Sequence, residues 1–362
     1  MKKIIALFLG AMLSASVLAG CGAGNDAKDT ADNQATPAPT ESAATSDEGT
    51  TDVSGALKTG IAVTTSVADS TSAADEDGVA QVYSTIVAVL VDGNGTIVDC
   101  KIDAAQTKIN FSKEGKITSD LNSPIQSKQE IGAAYGMAAK SGIGKEWNEQ
   151  ASAFAAYVVG KTADEVKGIA VNEEGIATDA DLTSSVTIHI GDFMATVEKA
   201  VASAKELGAN AGDKLGMAVN TDISGSKDAS AEGEGLAQAY SYYSAVTTNA
   251  DGAITSCIVD ASQGSVNFDT TGTITTDLTA AQLTKQELKD AYGMKAKSEI
   301  GKEWYEQADA FSAYVTGKTA DEVKGIAVSE EGKAKDADLI SSVTVHIAPF
   351  IGVVEKAVAS VQ

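Results

Sequence analysis

The heptapeptide Asp181-Leu-Thr-Ser-Ser-Val-Thr187 recurs almost unchanged as Asp338-Leu-Ile-Ser-Ser-Val-Thr344. The two copies lie 157 residues apart (344 − 187), and the sequence around them repeats with the same spacing. By direct comparison, about two-thirds of the positions from Cys100 to Ser203 are identical to their partners, which is far above chance. The chain therefore contains two copies of one scaffold, and each copy presents this segment.

The repeat predicts the domain organisation. The two copies align without a gap from about Ala73 to Ser203, and two repeats are too few for a solenoid, so we expect two globular domains in tandem. The Gly-Ala-Asn-Ala-Gly-Asp sequence between the copies is typical of a linker. The predicted boundaries are 57–205 for domain 1, 206–213 for the linker and 214–362 for domain 2.

Each copy begins with β-patterned sequence and continues with helical sequence, which predicts an α+β fold. In the first copy, β-rich runs at 79–90 and 96–102 flank Asp92-Gly-Asn-Gly95, a hairpin signal, and a short strand is expected at 108–111. The motif segment itself is expected to be extended, because apolar residues alternate along 186–190.

Helices are predicted in the rest of each copy. Capping boxes at Ser127-Lys-Gln-Glu130 and Thr284-Lys-Gln-Glu287 predict helices that continue to Lys140 and Lys297. The remaining helical segments of the first copy are one from Trp147 to Gly160, a short one capped by Thr162, and one over 192–205.

The N-terminus has the features of a bacterial lipoprotein. Lys2 and Lys3 precede an apolar stretch, and Leu18-Ala-Gly-Cys21 resembles a lipobox. Residues 1–20 are therefore predicted to be a signal peptide, and Cys21 is expected to carry the lipid that anchors the chain on the outer face of the cell membrane. Residues 21–56 are rich in small polar residues and are predicted to be a disordered tether.

Composition excludes some functions. The formal net charge of −23 argues against nucleic-acid binding, which needs Lys and Arg to neutralise phosphates. No ligand spacing for zinc occurs, so no metal site is predicted. Cys100 and Cys257 occupy matching positions of the two copies and are interpreted as one small buried thiol per domain.

The repeated heptapeptide resembles the flavinylation motif of the FMN-binding domain family, Asp-x-x-Ser/Thr-Gly-Ala-Thr/Ser. The resemblance implies FMN bound covalently through a phosphoester to Thr187 and to Thr344. It assigns Asp181 and Asp338 to the motif acid, and Ser184, Ser185, Ser341 and Ser342 to hydroxyl groups near the phosphate. The sequence departs from the family at Ser185-Val186 and Ser342-Val343, where Gly-Ala is usual.

The combination of lipobox, tether and two such domains is similar to the flavinylated lipoproteins of Gram-positive extracellular electron transfer. This resemblance implies an electron carrier rather than an enzyme. Its expected partners are a flavin transferase, a membrane NADH dehydrogenase with its quinol chain, and extracellular acceptors such as ferric iron. Two alternatives are a non-redox surface lipoprotein whose flavin domains have degenerated into binding or spacer modules, and a solute-binding lipoprotein.

Other residues of the repeat have competing interpretations. Trp147, Trp304, Tyr135 and Tyr292 would suit stacking on an isoalloxazine ring, but their helical spacing favours packing in the core. His189 and His346 follow the motif Thr by two residues, which suits contact with a phosphate and equally an ordinary surface position. A Ser-His-Asp hydrolase is disfavoured because no Gly-x-Ser-x-Gly elbow precedes a helix.

Overall fold

The computed structural model describes residues 55–361, and all of them belong to one compact unit. The predicted signal peptide (1–20), the lipidated Cys21 and the tether as far as residue 54 lie outside the described residues. Within 55–361 no helix is long and apolar enough to span a bilayer. The fold is α+β, as the sequence predicts.

Within residues 55–361, seven strands form two antiparallel sheets, one with the order β3-β2-β1-β4 and one with the order β5-β6-β7. The strands are β1 Ala56–Ser66, β2 Gly78–Val91, β3 Ile97–Phe111, β4 Lys205–Asn210, β5 Lys214–Asp222, β6 Gly235–Thr248 and β7 Ile254–Phe268. The helices of the first repeat are α1 Lys128–Ile131, α2 Trp147–Val158, α3 Ala163–Lys167, α4 Ala180–Thr183 and α5 Gly191–Ser203. The helices of the second repeat are α6 Lys285–Leu288, α7 Trp304–Val315, α8 Ala320–Lys324, α9 Ala337–Ile340 and α10 Ala348–Ala359.

The two sheets pack face to face, and helices cover the outer face of each sheet. Strand β2 is apolar at every position from 86 to 91 because both of its faces are buried. Val87, Val89 and Val91 lie in the core shared with the helices of the first repeat. The alternate residues Ile86, Ala88 and Leu90 lie in the core between the two sheets. Because successive side chains of a strand point to opposite faces, a strand buried on both faces is apolar throughout.

A pseudo-two-fold relation connects the repeats. The rings of Phe111 and Phe268, which are equivalent residues, stack with centroids 4.2 Å apart and an interplanar angle of 6°. The backbone bonds beside this stack are reciprocal, since Ala73 N donates to Gly272 O and Ala229 N donates to Gly115 O, both at 2.8 Å. The repeats therefore share a core.

The gapless alignment holds only downstream of residue 78. Gly60 and Gly216 are equivalent, because a Cβ at either would meet the backbone oxygen of Ala200 or of Ala357. Those two glycines differ by 156 (216 − 60), whereas the downstream residues differ by 157 (357 − 200). The second copy thus has one extra residue between β5 and β6, so the expected start at Ala73 was wrong.

Three local predictions differ from the structure. Most of the predicted linker 206–213 lies in β4, which pairs with β1 at the edge of the first sheet. The capping boxes exist, but α1 and α6 stop after four residues. Each helix ends because the next residue, Gly132 or Lys289, has a positive φ that breaks the helical path before a 3-10 turn.

The motif begins as a helical turn, and the extended conformation expected along 186–190 is limited to an isolated antiparallel bridge between His189 and Ile176. Asp179 Oδ1 accepts the backbone N–H of Asp181 at 2.9 Å and caps the single turn of α4. The hydroxyls of Ser184 and Ser185 then donate to the carbonyls of Asp181 and Leu182, which continues the turn. Such local bonds from side chain to backbone compete with a strand, and the apolar alternation cannot reveal them.

Candidate functional site

The second repeat contains a cavity of about 570 Å³ that opens beside Thr344. One wall is aromatic, and the Thr344 side of the cavity carries His346 and Gln307. Its other lining residues include Tyr240, Tyr242, Tyr292, Trp304, Met294, Lys285, Lys297, Lys333 and Glu299. A volume of this size lies within the range of about 300–1,000 Å³ that small-molecule and cofactor sites occupy.

Gln307 fixes the motif threonine from the core side. It lies on α7 and is fully buried. Its Oε1 accepts the Thr344 N–H at 2.8 Å, the Thr344 hydroxyl at 3.3 Å and the Val345 N–H at 3.1 Å. Its Nε2 donates to Ser298 Oγ at 3.3 Å and to Lys302 O at 3.2 Å. The half-buried threonine is therefore held with its side chain at the cavity wall.

A lysine lies inside a cage of aromatic rings at the inner wall. Lys285 Nζ lies 4.5 Å from the ring centroid of Tyr240, 4.3 Å from that of Tyr292 and 5.1 Å from that of Trp304. The amine also donates to the Tyr240 hydroxyl. Ring faces attract a cation at such distances, so the cage offsets part of the cost of burying the ammonium group.

A buried carboxylate lies behind the caged lysine. Asp260 of β7 accepts the N–H groups of Gln286 at 3.0 Å and Ala261 at 2.7 Å. Burial raises the pKa of Asp260 to about 7, although its hydrogen bonds act in the opposite direction. Burial lowers the pKa of Lys285 to about 7, and the charge of Asp260 opposes that shift. Both groups therefore change protonation near neutral pH.

The cavity has a cationic lining in an acidic chain. Lys285, Lys297 and Lys333 all line it, and Glu299 is the one carboxylate among its lining residues. The whole chain carries a formal charge of −23. The arrangement therefore favours an anionic ligand with a planar aromatic part that can contact the rings.

The first repeat places equivalent residues in the same way. Gln150 Oε1 accepts the Thr187 N–H at 2.8 Å and its hydroxyl at 3.2 Å. Lys128 Nζ lies 4.8 Å from the ring centroid of Tyr83, 4.7 Å from that of Tyr135 and 5.1 Å from that of Trp147. Burial raises the pKa of the Asp103 carboxyl, the equivalent of Asp260, to about 6.

Four lining residues differ between the repeats. Tyr242, Glu299, Lys333 and Val345 of the second repeat correspond to Thr85, Gly142, Ile176 and Ile188 of the first, at the constant spacing of 157. The first site therefore has one aromatic ring fewer and lacks the lysine at the position of Lys333. The two sites share their threonine, glutamine and caged lysine but differ at the rim.

The remaining motif residues lie away from the cavity wall. Asp338 and Ser341 are exposed, and Ser342 is half-buried with its hydroxyl donating to Leu339 O at 3.2 Å. In the first repeat Asp181 and Ser184 are exposed and Ser185 Oγ donates to Leu182 O at 3.2 Å. The structure thus brings the threonine to the cavity and places the motif acid on the adjoining surface.

The tryptophans and cysteines of both repeats are buried, whereas the histidines are exposed. Trp147 and Trp304 are each 3% exposed and lie in the helix-covered cores, as their helical spacing predicts, and Trp304 also lines the cavity. Cys100 and Cys257 are buried free thiols whose pKa is raised by burial. His189 and His346 are exposed.

The sequence did not single out the glutamine or the caged lysine. Gln150 and Gln307 are separated from their threonines by 37 residues, so the contact is tertiary. Lys128 and Lys285 follow the N-cap of a capping box, a place where a lysine is ordinarily exposed. The glutamine and the lysine are identical in the two copies, but this does not distinguish them, because most neighbouring residues are also identical.

Comparison with known proteins adds little to this geometry. No family model matches the chain, and no solved structure matches it. A stretch of 41 residues, 11% of the chain, is 54% identical to the chlorophenol reductase of Desulfitobacterium hafniense. The match spans 12% of the length of that protein, so it indicates a local similarity to a reductase and not a shared whole-chain activity.

Proposed function

We propose that the chain is an extracytoplasmic electron carrier that holds FMN covalently at Thr344 and at Thr187. The observation that carries the proposal is the position of the motif threonine. Thr344 lies at the edge of a cavity that combines aromatic rings with lysines, within a chain of strongly negative charge. A flavin mononucleotide has a planar aromatic ring system and an anionic phosphate, so it matches both parts of the lining.

The residues of the second repeat fit such a group. Thr344 would carry the phosphate, and Lys297 and Lys333, which line the same cavity, would balance its charge. His346 lines the same side of the cavity. Tyr292, Trp304 and the neighbouring tyrosines offer apolar faces to the ring. The flavin would supply the redox chemistry, and the protein would orient it and set its electrostatic surroundings.

Attachment requires a new bond at the threonine hydroxyl. Thr344 Oγ1 would bond to the flavin phosphorus of a flavin phosphoanhydride that a transferase supplies. The P–O bond to the second phosphate would break, and that phosphate would leave with the hydroxyl proton. Gln307 Oε1 accepts hydrogen bonds from this hydroxyl at 3.3 Å and from the backbone N–H at 2.8 Å, which orients the hydroxyl but does not take up its proton. The backbone bond does not depend on the hydroxyl, so the threonine keeps its anchor after the ester has formed.

The caged lysine has a distinct part in this proposal. Lys285, when protonated, would place positive charge among the rings that would contact the flavin. A flavin gains negative charge on reduction unless protons follow, so a buried cation beside it favours the reduced state. Lys128 would act in the same way in the first repeat.

The wider cellular role remains part of the proposal. Anchoring through Cys21 would hold the carrier at the outer face of the membrane. A flavin transferase would load it, a membrane NADH dehydrogenase with its quinol chain would reduce it, and ferric iron or another extracellular acceptor would oxidise it. The short similarity to a reductase is compatible with a redox role, but the cavity is the main support.

Visible absorption of the purified chain tests this function. The chain is co-expressed with a flavin transferase, denatured to remove loose flavin, and its flavin absorbance per chain is measured. We expect two flavins in the wild type, one each in Thr187→Ala and Thr344→Ala, and none in the double variant. Thr344→Ser keeps the hydroxyl and is expected to retain flavin at that site.

Ser341→Ala is the matched control. Ser341 is an exposed hydroxyl of the same heptapeptide that lies outside the cavity lining, and its loss should leave two flavins. A colourless wild type, produced with a transferase that labels another substrate, would contradict the proposal. That result would favour the degenerate binding or spacer module instead.

A further inference from the structure

Two ion pairs related by the repeat connect the two halves of the protein. Lys199 Nζ of α5 lies 2.7 Å from Glu287 Oε1 of α6. Lys356 Nζ of α10 lies 2.8 Å from Glu130 Oε1 of α1. Each pair joins the C-terminal helix of one repeat to the short helix that begins beside the candidate site of the other repeat.

Each lysine also binds a strand of its own repeat. Lys199 Nζ donates to Val63 O at 2.5 Å, and Lys356 Nζ donates to Val219 O at 2.6 Å. Lys356 additionally donates to Asn220 Oδ1 at 3.0 Å. A lysine held by two partners at fixed geometry is more ordered than a typical surface lysine, so it makes a stiffer connection.

Each glutamate uses its second oxygen for the capping box. Glu287 Oε2 accepts the Thr284 N–H at 3.0 Å, while its Oε1 faces Lys199. Glu130 Oε2 accepts the Ser127 N–H at 2.8 Å, while its Oε1 faces Lys356. One carboxylate thus joins the start of a four-residue helix to the opposite repeat.

The caged lysine lies between the cap and this glutamate. Lys285 is the first residue of α6, two positions before Glu287, and its amine lies among Tyr240, Tyr292 and Trp304. A helix of four residues is too short to be stable alone, so its position depends on its contacts. Any shift of α6 therefore moves the amine within the cage.

We propose that each candidate site is held in place by the opposite repeat, with Lys199 as a positioning residue for the second site and Lys356 for the first. The two sites are then coupled through the repeat interface and are not independent modules. The consequence for a bound flavin rests on the proposed function. Loss of Lys199 would change the reduction potential of a flavin at Thr344 and leave one at Thr187 unchanged.

Hydrogen exchange followed by mass spectrometry tests the coupling on the full chain without flavin. Lys199→Met removes the charge and keeps the length of the side chain. We expect exchange in α6, Lys285–Leu288, to become about two- to fivefold faster, because partly exposed ion pairs contribute modestly to local stability. Exchange in α1, Lys128–Ile131, should stay within error.

Lys356→Met should give the reverse pattern, with faster exchange in α1 and an unchanged exchange rate in α6. The matched control is Lys167→Met, which breaks a pair at 3.4 Å with Glu198 inside the first repeat. That control should change neither α1 nor α6. Lys199→Arg, which keeps the charge, should restore slow exchange in α6.

Three results would overturn the proposal that each candidate site is held in place by the opposite repeat. They are unchanged exchange in α6 of Lys199→Met, a change of equal size in α1 and α6, or the same change in the Lys167→Met control. A second experiment is independent of the hydrogen-exchange test. It compares the reduction potential of the flavin at Thr344 in Thr187→Ala chains with and without Lys199→Met. Failure to load flavin would contradict the proposed function and leave the exchange result standing.

Discussion

Replacing Gln307 by leucine should destabilise the protein through unpaired backbone groups. Gln307 is fully buried, and its Oε1 accepts the N–H groups of Thr344 and Val345. Leucine has a similar size but accepts no hydrogen bond, so both N–H groups lose their partner. Each unpaired buried group costs about 1–3 kcal/mol, which gives roughly 2–6 kcal/mol in total. Water entering from the adjoining cavity should bring the loss toward the lower end.

Urea unfolding followed by tryptophan fluorescence and circular dichroism measures this loss. The control is Gln238→Leu, because Gln238 is half-buried and its side chain donates a single bond to Ser265 Oγ at 3.1 Å. We expect that control to lose less than about 1 kcal/mol. Gln150→Leu should cost less, about 1–3 kcal/mol, because Gln150 Oε1 accepts one backbone N–H, that of Thr187, where Gln307 accepts two. Equal stabilities of Gln307→Leu and Gln238→Leu would refute the reasoning.

Two further predictions concern pH and packing. Burial raises the pKa of Asp260 to about 7, so the stability that this group contributes is full below about pH 4 and is lost as the pH rises to about 7. The introduced asparagine side chain of Asp260→Asn stays neutral, so the unfolding free energy of the wild type relative to this variant should fall over that pH range by at most about 4 kcal/mol. Parallel pH profiles of the two proteins would contradict the raised pKa of Asp260. Gly216→Ala would bring a Cβ against Ala357 O and should lower stability by about 1–3 kcal/mol in the same urea assay. Gly93→Ala, which meets nothing within 4 Å, should change stability by less than about 0.5 kcal/mol, and equal losses in the two variants would contradict the close approach.

The local elements of the fold were predictable because their signals are short-range. The hairpin of β2 and β3 follows from two β-rich runs around Asp92-Gly-Asn-Gly95. Helix α2 follows from the helical spacing of Trp147, Phe154 and Val158. It begins at Trp147 as expected and ends at Val158, two residues before the expected Gly160. The hydroxyl caps of α1 and α6 were found from Ser and Thr three residues before Glu.

The arrangement of the two repeats was not predictable from these signals. Strand β4, Lys205–Asn210, contains no β-branched or aromatic residue, and it forms because β1 presents an edge to which it can pair. The stack of Phe111 on Phe268 joins residues at the ends of separate strands. Such contacts depend on how two sheets meet, and periodicity within one segment carries no information about them.

The candidate site was predictable in part. The motif identified Thr187 and Thr344, and Thr344 does lie at a cavity. Gln307 and Lys285 were missed because they reach the site through tertiary contacts from other helices. The exposed position of the motif acid Asp181 could not be predicted from the sequence. A one-turn helix such as α4 is determined by local capping and not by apolar periodicity.

The mass of the intact mature protein, with mapping of the modified peptides, tests the central claim most directly. The chain is co-expressed with an active flavin transferase, purified and measured after denaturation. The account predicts two increments, each equal to FMN less one water, located on the peptides that contain Thr187 and Thr344. An unmodified mass, or increments on any other residue, would contradict it.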